Sequence, residues 1–146
     1  KRVGMVAGGS GLTPCLQVVE ELLSLEDDMT QINLLFCNRN EDEIFLREHL
    51  DSLAERSCGR FHVHYCVDAP ISPSWSGLTG YATDTMLATW LPPPGEGTMI
   101  MVCGPPPMYK AVSGPKLFEK GKPPKQGELS GILKDLGFTA DMVFKF

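Results

Sequence analysis

The sequence predicts an α/β fold: a doubly wound, mostly parallel sheet of five or six strands with helices on both faces. Short apolar runs with strand propensity alternate along the chain with segments of helical periodicity, which is the pattern of such a sheet. The run at 31–37 is nearly all apolar, as expected for a strand that is buried on both faces. A glycine-rich turn also joins the first strand to the first helix, at a position where this fold class binds ligands.

The first strand, turn and helix form a site suited to a phosphate. Residues 3–7 are an apolar strand, 8–14 a glycine-rich turn, and 14–25 a helix. Glycines let an anion approach the backbone, and the start of a helix leaves N–H groups unpaired. We expect Thr13 to cap this helix and Pro14 to occupy its first position. The turn reads G-x-G-x-x-P, which is not a P-loop and, taken alone, also fits a tight turn without a ligand.

The remaining elements follow in order along the chain. We expect a strand, a helix and a strand up to residue 67, then a long loop, a helix, a strand, a loosely started helix, a mobile loop, a short helix and a final strand. Asn40 and Glu43 form a capping pair at the start of the second helix. The predicted ranges are 31–37, 41–54, 60–67, 68–81, 82–90, 98–103, 105–119, 120–126, 128–136 and 142–146.

Length, charge and composition exclude several classes of protein. A chain of 146 residues is long enough for one domain with a sizeable core. The net charge of −5 argues against nucleic acid as a partner, because phosphate backbones require a basic face. No apolar run reaches the length of a membrane helix, and no signal peptide opens the chain.

The cysteines and histidines do not predict a metal site. The five cysteines include no C-x-x-C pair, so we expect free thiols in a reducing compartment and no zinc. His62 and His64 lie two residues apart on one strand without a third ligand nearby, so we expect a solvated or edge-strand face there. The cysteines are Cys15, Cys37, Cys58, Cys66 and Cys103.

A second motif strengthens the interpretation of the first. The apolar strand 98–103 runs directly into Gly104-Pro105-Pro106-Pro107-Met108. The loops at 8–14, 38–40, 68–81 and 103–108 all follow strands, so a parallel sheet brings them to one edge and to a single site.

Together, Gly-Gly-Ser-Gly-Leu-Thr-Pro at 8–14 and Cys-Gly-Pro-Pro-Pro-Met at 103–108 resemble the two signatures of the pyridine-nucleotide domain of the ferredoxin-reductase superfamily. The chain most resembles NADH–cytochrome b5 reductase and the flavin end of nitrate reductase, and the resemblance extends over its whole length. It implies a Rossmann-like fold and one NAD-binding domain over 1–146. Such families have a FAD-binding barrel upstream, whose Arg-x-Tyr-[Ser/Thr] signature is absent here, so we expect that the chain is a fragment.

The function that the resemblance implies is hydride delivery. NADH binds this domain, its hydride passes to a FAD held mainly by the upstream domain, and the flavin gives single electrons to a haem protein such as cytochrome b5. The chain alone is expected to be inactive. Two alternatives stay open: the C-terminal reductase domain of a nitrate-reductase-like flavin–haem protein, and a nucleotide-binding module without turnover. The expected location is the cytoplasmic side of the endoplasmic reticulum or the mitochondrial outer membrane, with membrane contact only through an upstream anchor.

The resemblance also implies which residues bind the cofactor. The glycine-rich loop holds the pyrophosphate side of the nucleotide, and the acid Asp68 favours NADH over NADPH by repelling a 2′-phosphate. Arg39 has the opposite charge, and it either pairs with neighbouring acids or lies against the adenine. Phe146 is expected only as a neighbour of the flavin. The implied nucleotide-binding residues are Gly8, Gly9, Ser10, Gly11, Thr13, Pro14, Asn38, Arg39, Asp68, Tyr81, Gly104, Pro105, Pro106 and Met108.

Cys103 has three interpretations. A cysteine that ends an apolar strand is most often a small core residue. A nucleophile needs a nearby base, and no histidine lies near Cys103 in the sequence. The resemblance implies a third role, in which the sulfur lies beside the nicotinamide C4 and positions it for hydride transfer without covalent chemistry. This positioning role is the one we predict.

Overall fold

The sheet has six strands, and every neighbouring pair in it is parallel. The computed structural model describes residues 1–146. The strands are β1 (Arg2–Gly8), β2 (Gln31–Asn38), β3 (Phe61–Val67), β4 (Leu78–Thr79), β5 (Thr98–Cys103) and β6 (Val143–Lys145). Their order is β4-β3-β2-β1-β5-β6, so the chain moves outward from β1 on one side and then crosses to its other side. The predicted doubly wound parallel sheet is confirmed.

Five helices cover both faces of the sheet. They are α1 (Leu12–Ser24), α2 (Arg47–Arg56), α3 (Asp84–Trp90), α4 (Pro106–Val112) and α5 (Gly131–Asp135). α1 and α2 supply buried residues to the core on one face, whereas α3, α4 and α5 supply those on the other. Three 3₁₀ turns complete the elements, at Gly9–Gly11, Glu41–Glu43 and Ala140–Met142.

Alternation along the central strands divides the core into two halves. Met5 and Phe36 belong to the cluster that contains residues of α1 and α2, whereas their chain neighbours Val6 and Leu35 belong to the other cluster. All four side chains are fully buried, as expected for central strands of a parallel sheet. This packing holds the strands in register, and it thereby positions the loops at their carboxyl ends.

The predicted helix at 41–54 was wrong in its first half. Asn40 caps as expected, because its side chain accepts a hydrogen bond from the N–H of Glu43 at 3.2 Å, but it begins only a 3₁₀ turn. Leu46 then takes a left-handed φ of +55°, which a continuous helix does not allow, and α2 begins at the next residue.

The predicted helix at 105–119 was also too long. It ends at Val112, because Gly114 has a φ of +83° and Pro115 follows it. Glycine in a left-handed conformation followed by proline is a common helix ending. Similarly, the helix predicted at 128–136 is reduced to α5, and the predicted loop 68–81 contains the two-residue strand β4.

All five cysteines are free thiols, as predicted. Of the two histidines on β3, His62 is exposed, whereas the His64 ring stacks on Trp90 with 4.0 Å between ring centroids. No group of three or more histidine, cysteine or acidic side chains is arranged to hold a metal ion. None of the helices is both long enough and apolar enough to cross a membrane.

Lys145 is an unusual buried cation on the edge strand β6. It is only 3% exposed, and its Nζ donates to the carbonyl oxygens of Glu128 at 3.1 Å and Pro115 at 3.5 Å. None of the ion pairs in the structure includes it. Loss of hydration on burial lowers the pKa of Lys145, because carbonyl dipoles replace water only in part.

This burial predicts a pH dependence of stability. The pKa of Lys145 is lower in the folded chain than in the unfolded one, so protonation favours unfolding. The cost is complete below the folded-state pKa and disappears as pH rises towards the ordinary value of about 10.4. We therefore expect the free energy of unfolding of the native chain, relative to Lys145→Met, to rise as the pH increases towards about 10.

Urea denaturation at several pH values measures this difference. Lys120→Met is the matched control, because Lys120 is exposed and its variant should follow the native chain at every pH. A constant difference between the native chain and Lys145→Met would show that Lys145 has the same pKa in both states.

Candidate functional site

A cleft of about 930 Å³ lies beyond the carboxyl ends of β1, β2, β3 and β5. It opens where the strand order reverses between β1 and β5, which is the usual ligand position in a doubly wound sheet. Loops that are distant in sequence meet there, as predicted. The cleft is lined by Gly8, Gly9, Ser10, Gly11, Cys37, Asn38, Arg39, Asp68, Tyr81, Ala82, Cys103, Gly104, Pro105, Pro107, Met108, Ala111 and Val112.

The cleft gathers most, but not all, of the predicted site residues. Thr13, Pro14 and Pro106 do not line it. Pro107 lies in the predicted loop 103–108, and four further lining residues were not predicted: Cys37, Ala82, Ala111 and Val112. The last two lie one turn beyond Met108 on α4, at the i+3 and i+4 positions, so helical spacing from Met108 was a usable signal.

The two glycine motifs interlock at the floor of the cleft. A Cβ on Gly11 would lie 2.5 Å from the carbonyl carbon of Cys103, a distance that real side chains do not adopt. A Cβ on Gly8 would lie 2.6 Å from the Met108 Cε, and one on Gly104 would lie 2.5 Å from the Met108 Sδ. The backbone of the second motif therefore leaves no room for a side chain at Gly11, whereas the flexible end of the Met108 side chain packs against Gly8 and Gly104.

The start of α1 differs from the prediction. Gly11 precedes the first helical residue, and Thr13 lies inside the first turn, where its hydroxyl donates to the carbonyl oxygen of Ser10 at 3.2 Å. Thr13 is therefore not the N-cap, because the 3₁₀ turn at Gly9–Gly11 leads directly into the helix. No side chain caps this end, and the N–H of Leu12 donates to the carbonyl oxygens of Gly9 and Ser10. Any N–H groups that could bind an anion therefore belong to the glycine-rich turn that precedes α1.

The far wall of the cleft is built by the ends of β2 and β3. The N–H of Asp68 donates to the carbonyl oxygen of Asn38 at 3.0 Å, and the N–H of Ala69 to that of Arg39 at 2.9 Å. Burial raises the pKa of Asp68, and the positive charge of Arg39 partly opposes this shift. The carboxyl group of Asp68 and the guanidinium cation of Arg39 therefore line the same part of the cleft.

Glu41 has a structural role at this wall. Its carboxylate accepts hydrogen bonds from the N–H groups of Ile71 and Ser72, both at 2.7 Å, and these bonds lower the pKa of Glu41. They fix the loop that follows Asp68, which brings Tyr81 to the rim of the cleft with 79% of its surface exposed.

Asn38 carries the only buried side-chain nitrogen or oxygen atom without a hydrogen-bond partner, its Nδ2. The residue is 7% exposed and lines the cleft. Buried polar groups are almost always paired, and exceptions call for an explanation. The unpaired amide of Asn38 is consistent with a wall that a polar ligand completes.

Cys103 ends β5 at the inner wall of the cleft, with no basic side chain to activate it. None of the three histidines lines the cleft. Burial and a hydrogen bond with the Cys103 thiol raise the pKa of Tyr109, whose hydroxyl donates to the Phe146 carbonyl oxygen at 2.8 Å. Burial also raises the pKa of the nearby Cys15 thiol, to about 12. These neighbours remain protonated at neutral pH, so the surroundings of Cys103 do not favour a nucleophile.

A smaller cavity of about 260 Å³ shares Gly104 with the main cleft. Pro106 and Phe146, both named from the sequence, line this cavity and not the cleft. The remaining lining residues are Tyr109, Pro115, Lys116 and Phe118.

Comparisons with known proteins agree with this geometry. The profile of the oxidoreductase NAD-binding domain family matches residues 5–114. The chain is 45% identical over its full length to an NADH-cytochrome b5 reductase-like protein of Arabidopsis thaliana, covering 43% of that protein. It is 40% identical over its full length to NADH-cytochrome b5 reductase 2 of Candida albicans, covering 47% of it. The chain thus spans less than half the length of these curated relatives.

A solved structure gives the same result. The cytochrome b5 reductase domain of Ulva prolifera nitrate reductase superposes on the whole chain with a TM-score of 0.82 and 35% identity, and the chain covers 50% of it. The resemblance that the two motifs indicated is therefore confirmed at the level of sequence and of fold.

The unpaired amide of Asn38 predicts that Asn38→Leu stabilises the empty chain. The variant replaces an unsatisfied buried group with an apolar one of similar shape, which removes a cost of about 1–3 kcal/mol. Urea denaturation without ligand measures the effect. The matched control is Asn33→Leu on the same strand, which removes no unpaired buried atom and should give no such gain. A loss of stability in Asn38→Leu would show that the amide has a structural partner.

Proposed function

Because the chain belongs to the oxidoreductase NAD-binding domain family, we propose that it binds NADH in the cleft and presents it to a flavin. The observation that supports this most directly is the interlocking of the two motifs, in which Gly11 lies against the Cys103–Gly104 peptide. It forms a floor of backbone at the ligand position of this fold, as a pyrophosphate requires.

The cleft fits such a nucleotide in size and in chemistry. Its volume of about 930 Å³ is at the upper end of small-molecule sites. Gly8, Gly9, Ser10 and Gly11 would hold the pyrophosphate, with the uncapped start of α1 behind them. Asn38 would offer its unpaired amide to the adenosine half.

Cys103 and the loop after it would hold the reacting end. When bound, NADH supplies a hydride from the nicotinamide C4 to a flavin. The Cys103 sulfur would contact one edge of the ring, while Gly104, Pro105 and Met108 limit its movement. This is catalysis by orientation, because the chain offers no acid or base at this wall.

The charges at the ends of β2 and β3 would select the nucleotide. Asp68 faces the cleft beside Arg39, and a 2′-phosphate there would meet the carboxylate charge. Glu41 is held by backbone hydrogen bonds to Ile71 and Ser72 and does not line the cleft. We propose that Asp68 sets a preference for NADH.

The whole protein would act as an NADH-dependent flavoprotein reductase. FAD would be held mainly outside this chain, and cytochrome b5 or a similar haem protein would accept the electrons, as the names of the relatives suggest. The Ulva structure favours, as a second candidate, the reductase domain of a nitrate-reductase-like protein. Action on the cytoplasmic side of the endoplasmic reticulum or mitochondrial outer membrane, through an upstream anchor, remains part of this proposal.

Nucleotide titration tests the proposal on the chain itself. We expect NADH to bind more tightly than NADPH, and Asp68→Ser to reduce this preference by about tenfold, or ~1.4 kcal/mol, because the repulsion of a 2′-phosphate is lost. NADH fluorescence measures both dissociation constants. Asp84→Ser, which changes an acid outside the cleft, should keep the native ratio.

Each result of that titration has a distinct meaning. If NADH does not bind, the proposed function is wrong. If the ratio is the same in Asp68→Ser, selectivity depends on Arg39 instead. If NADH binds but the full-length protein does not reduce its flavin, the chain is a nucleotide-binding module without turnover.

A positioning role predicts that Cys103→Ser slows flavin reduction in the full-length protein by about ten- to a hundredfold, or ~1.4–2.8 kcal/mol of transition-state stabilisation. A displaced ring costs this much, whereas loss of a nucleophile would abolish turnover. Stopped-flow absorbance of the flavin measures the rate. Cys58→Ser, at an exposed site outside the cleft, should match the native rate. If Cys103→Ser reduces the flavin at the native rate, Cys103 serves only to pack the core.

A further inference from the structure

Two cysteines lie side by side on neighbouring strands at the cleft. Cys37 on β2 is paired in register with Cys66 on β3. Neighbouring strands of a sheet are about 4.8 Å apart. This separation lies within the range of about 4.4–6.8 Å that the Cα atoms of disulfides occupy. The pair therefore has the backbone spacing of a disulfide while both thiols are free.

The side chains of the pair also point the same way. Both are buried in the core cluster that contains residues of α3, α4 and α5. The Cys66 sulfur donates to the carbonyl oxygen of Gly80 at 3.1 Å. Strand register and the shared core cluster therefore place the two thiols next to each other.

The two thiols differ in access. Cys37 is 8% exposed and lines the cleft, whereas Cys66 has no exposed surface and lies behind it. A small oxidant in the cleft therefore meets Cys37 first. A nucleotide that fills the cleft would cover this path.

We propose that Cys37 and Cys66 form a reversible disulfide when a hydroperoxide enters the empty cleft, and that bound nucleotide prevents it. The first half rests on the thiol pair alone. The second half rests on the function proposed above.

The chemistry needs only the two thiols and the peroxide. The Cys37 sulfur attacks one peroxide oxygen, the O–O bond breaks, and a sulfenic acid forms as one water or alcohol leaves with the thiol proton. The Cys66 sulfur then attacks the sulfenic sulfur, and the hydroxyl group leaves as water with the second proton. Two electrons pass from the dithiol to the peroxide. A dithiol such as dithiothreitol reverses the bond by thiol–disulfide exchange.

The bond would act on the nucleotide site directly. Cys37 precedes Asn38, and Cys66 lies two residues before Asp68, so the disulfide joins the two strands at the wall that faces the adenosine half. A nucleotide in the cleft would slow formation of this bond by covering Cys37, and the bond once formed would fix the wall that the nucleotide contacts. The pair would thus couple oxidation to occupancy.

Peroxide oxidation of the chain tests the proposal. All samples carry Cys58→Ala, which removes the exposed thiol. We expect hydrogen peroxide to remove the mass of two hydrogen atoms, peptide mapping to join Cys37 with Cys66, and dithiothreitol to restore the original mass. With NAD⁺ at ten times its dissociation constant, about one chain in eleven is free, so the rate should fall by about tenfold.

Variants and binding data separate the two halves. Cys37→Ala and Cys66→Ala should each abolish the mass loss, whereas Cys15→Ala should keep it. A mass loss that persists in Cys37→Ala, a bond between other cysteines, or no bond in the native pair would overturn the disulfide. Equal rates in chain shown by titration to be saturated with NAD⁺ would overturn the coupling. Failure of both NAD⁺ and NADH to bind would overturn the proposed function, whereas formation of the disulfide without nucleotide is measured independently of it.

Discussion

The site depends on one close approach, that of Gly11 to the peptide between Cys103 and Gly104. The two groups come from different motifs, on either side of the point where the strand order reverses. Register between β1 and β5 pairs Ala7 with Cys103, so the sheet brings the start of the first loop and the end of β5 to the same level. Any side chain at Gly11 would push the loops apart, and the cleft floor would be lost.

The sheet and the site differ in how well their groups are satisfied in the folded chain. The strands are held by two apolar cores, whereas the carboxyl end of β2 carries a polar group that the folded chain does not satisfy, the Asn38 amide. Such a group costs free energy in the empty chain. The cleft thus combines a closely packed backbone floor at Gly11 with an unpaired amide at Asn38.

Much of this could be predicted from the sequence, because parallel strands send their following loops to one edge. The glycine motif, Asn38, Arg39, Asp68 and Cys103 were placed in one site by that rule, and the structure brings them together. Local rules failed where tertiary contacts decide: Thr13 lost its cap position to a 3₁₀ turn, and Pro106 faces a second cavity. The neighbouring positions of Cys37 and Cys66 follow from strand register, which no local pattern gives.

The absence of a histidine from the cleft changes what the cysteines there can do. Cys103 is flanked by Cys15 and Tyr109, whose pKa values are raised. Both neighbours stay neutral, so neither of them can deprotonate the Cys103 thiol. Cys37 instead has a second sulfur beside it, that of Cys66 on the neighbouring strand, and it lies at the opposite wall. One wall therefore suits orientation of a ring and the other suits two-electron oxidation of a thiol pair. The two walls depend on different strand registers, that of β1 and β5 at Cys103 and that of β2 and β3 at the thiol pair. A shift of one residue between β2 and β3 would therefore separate the thiols and leave the wall at Cys103 intact.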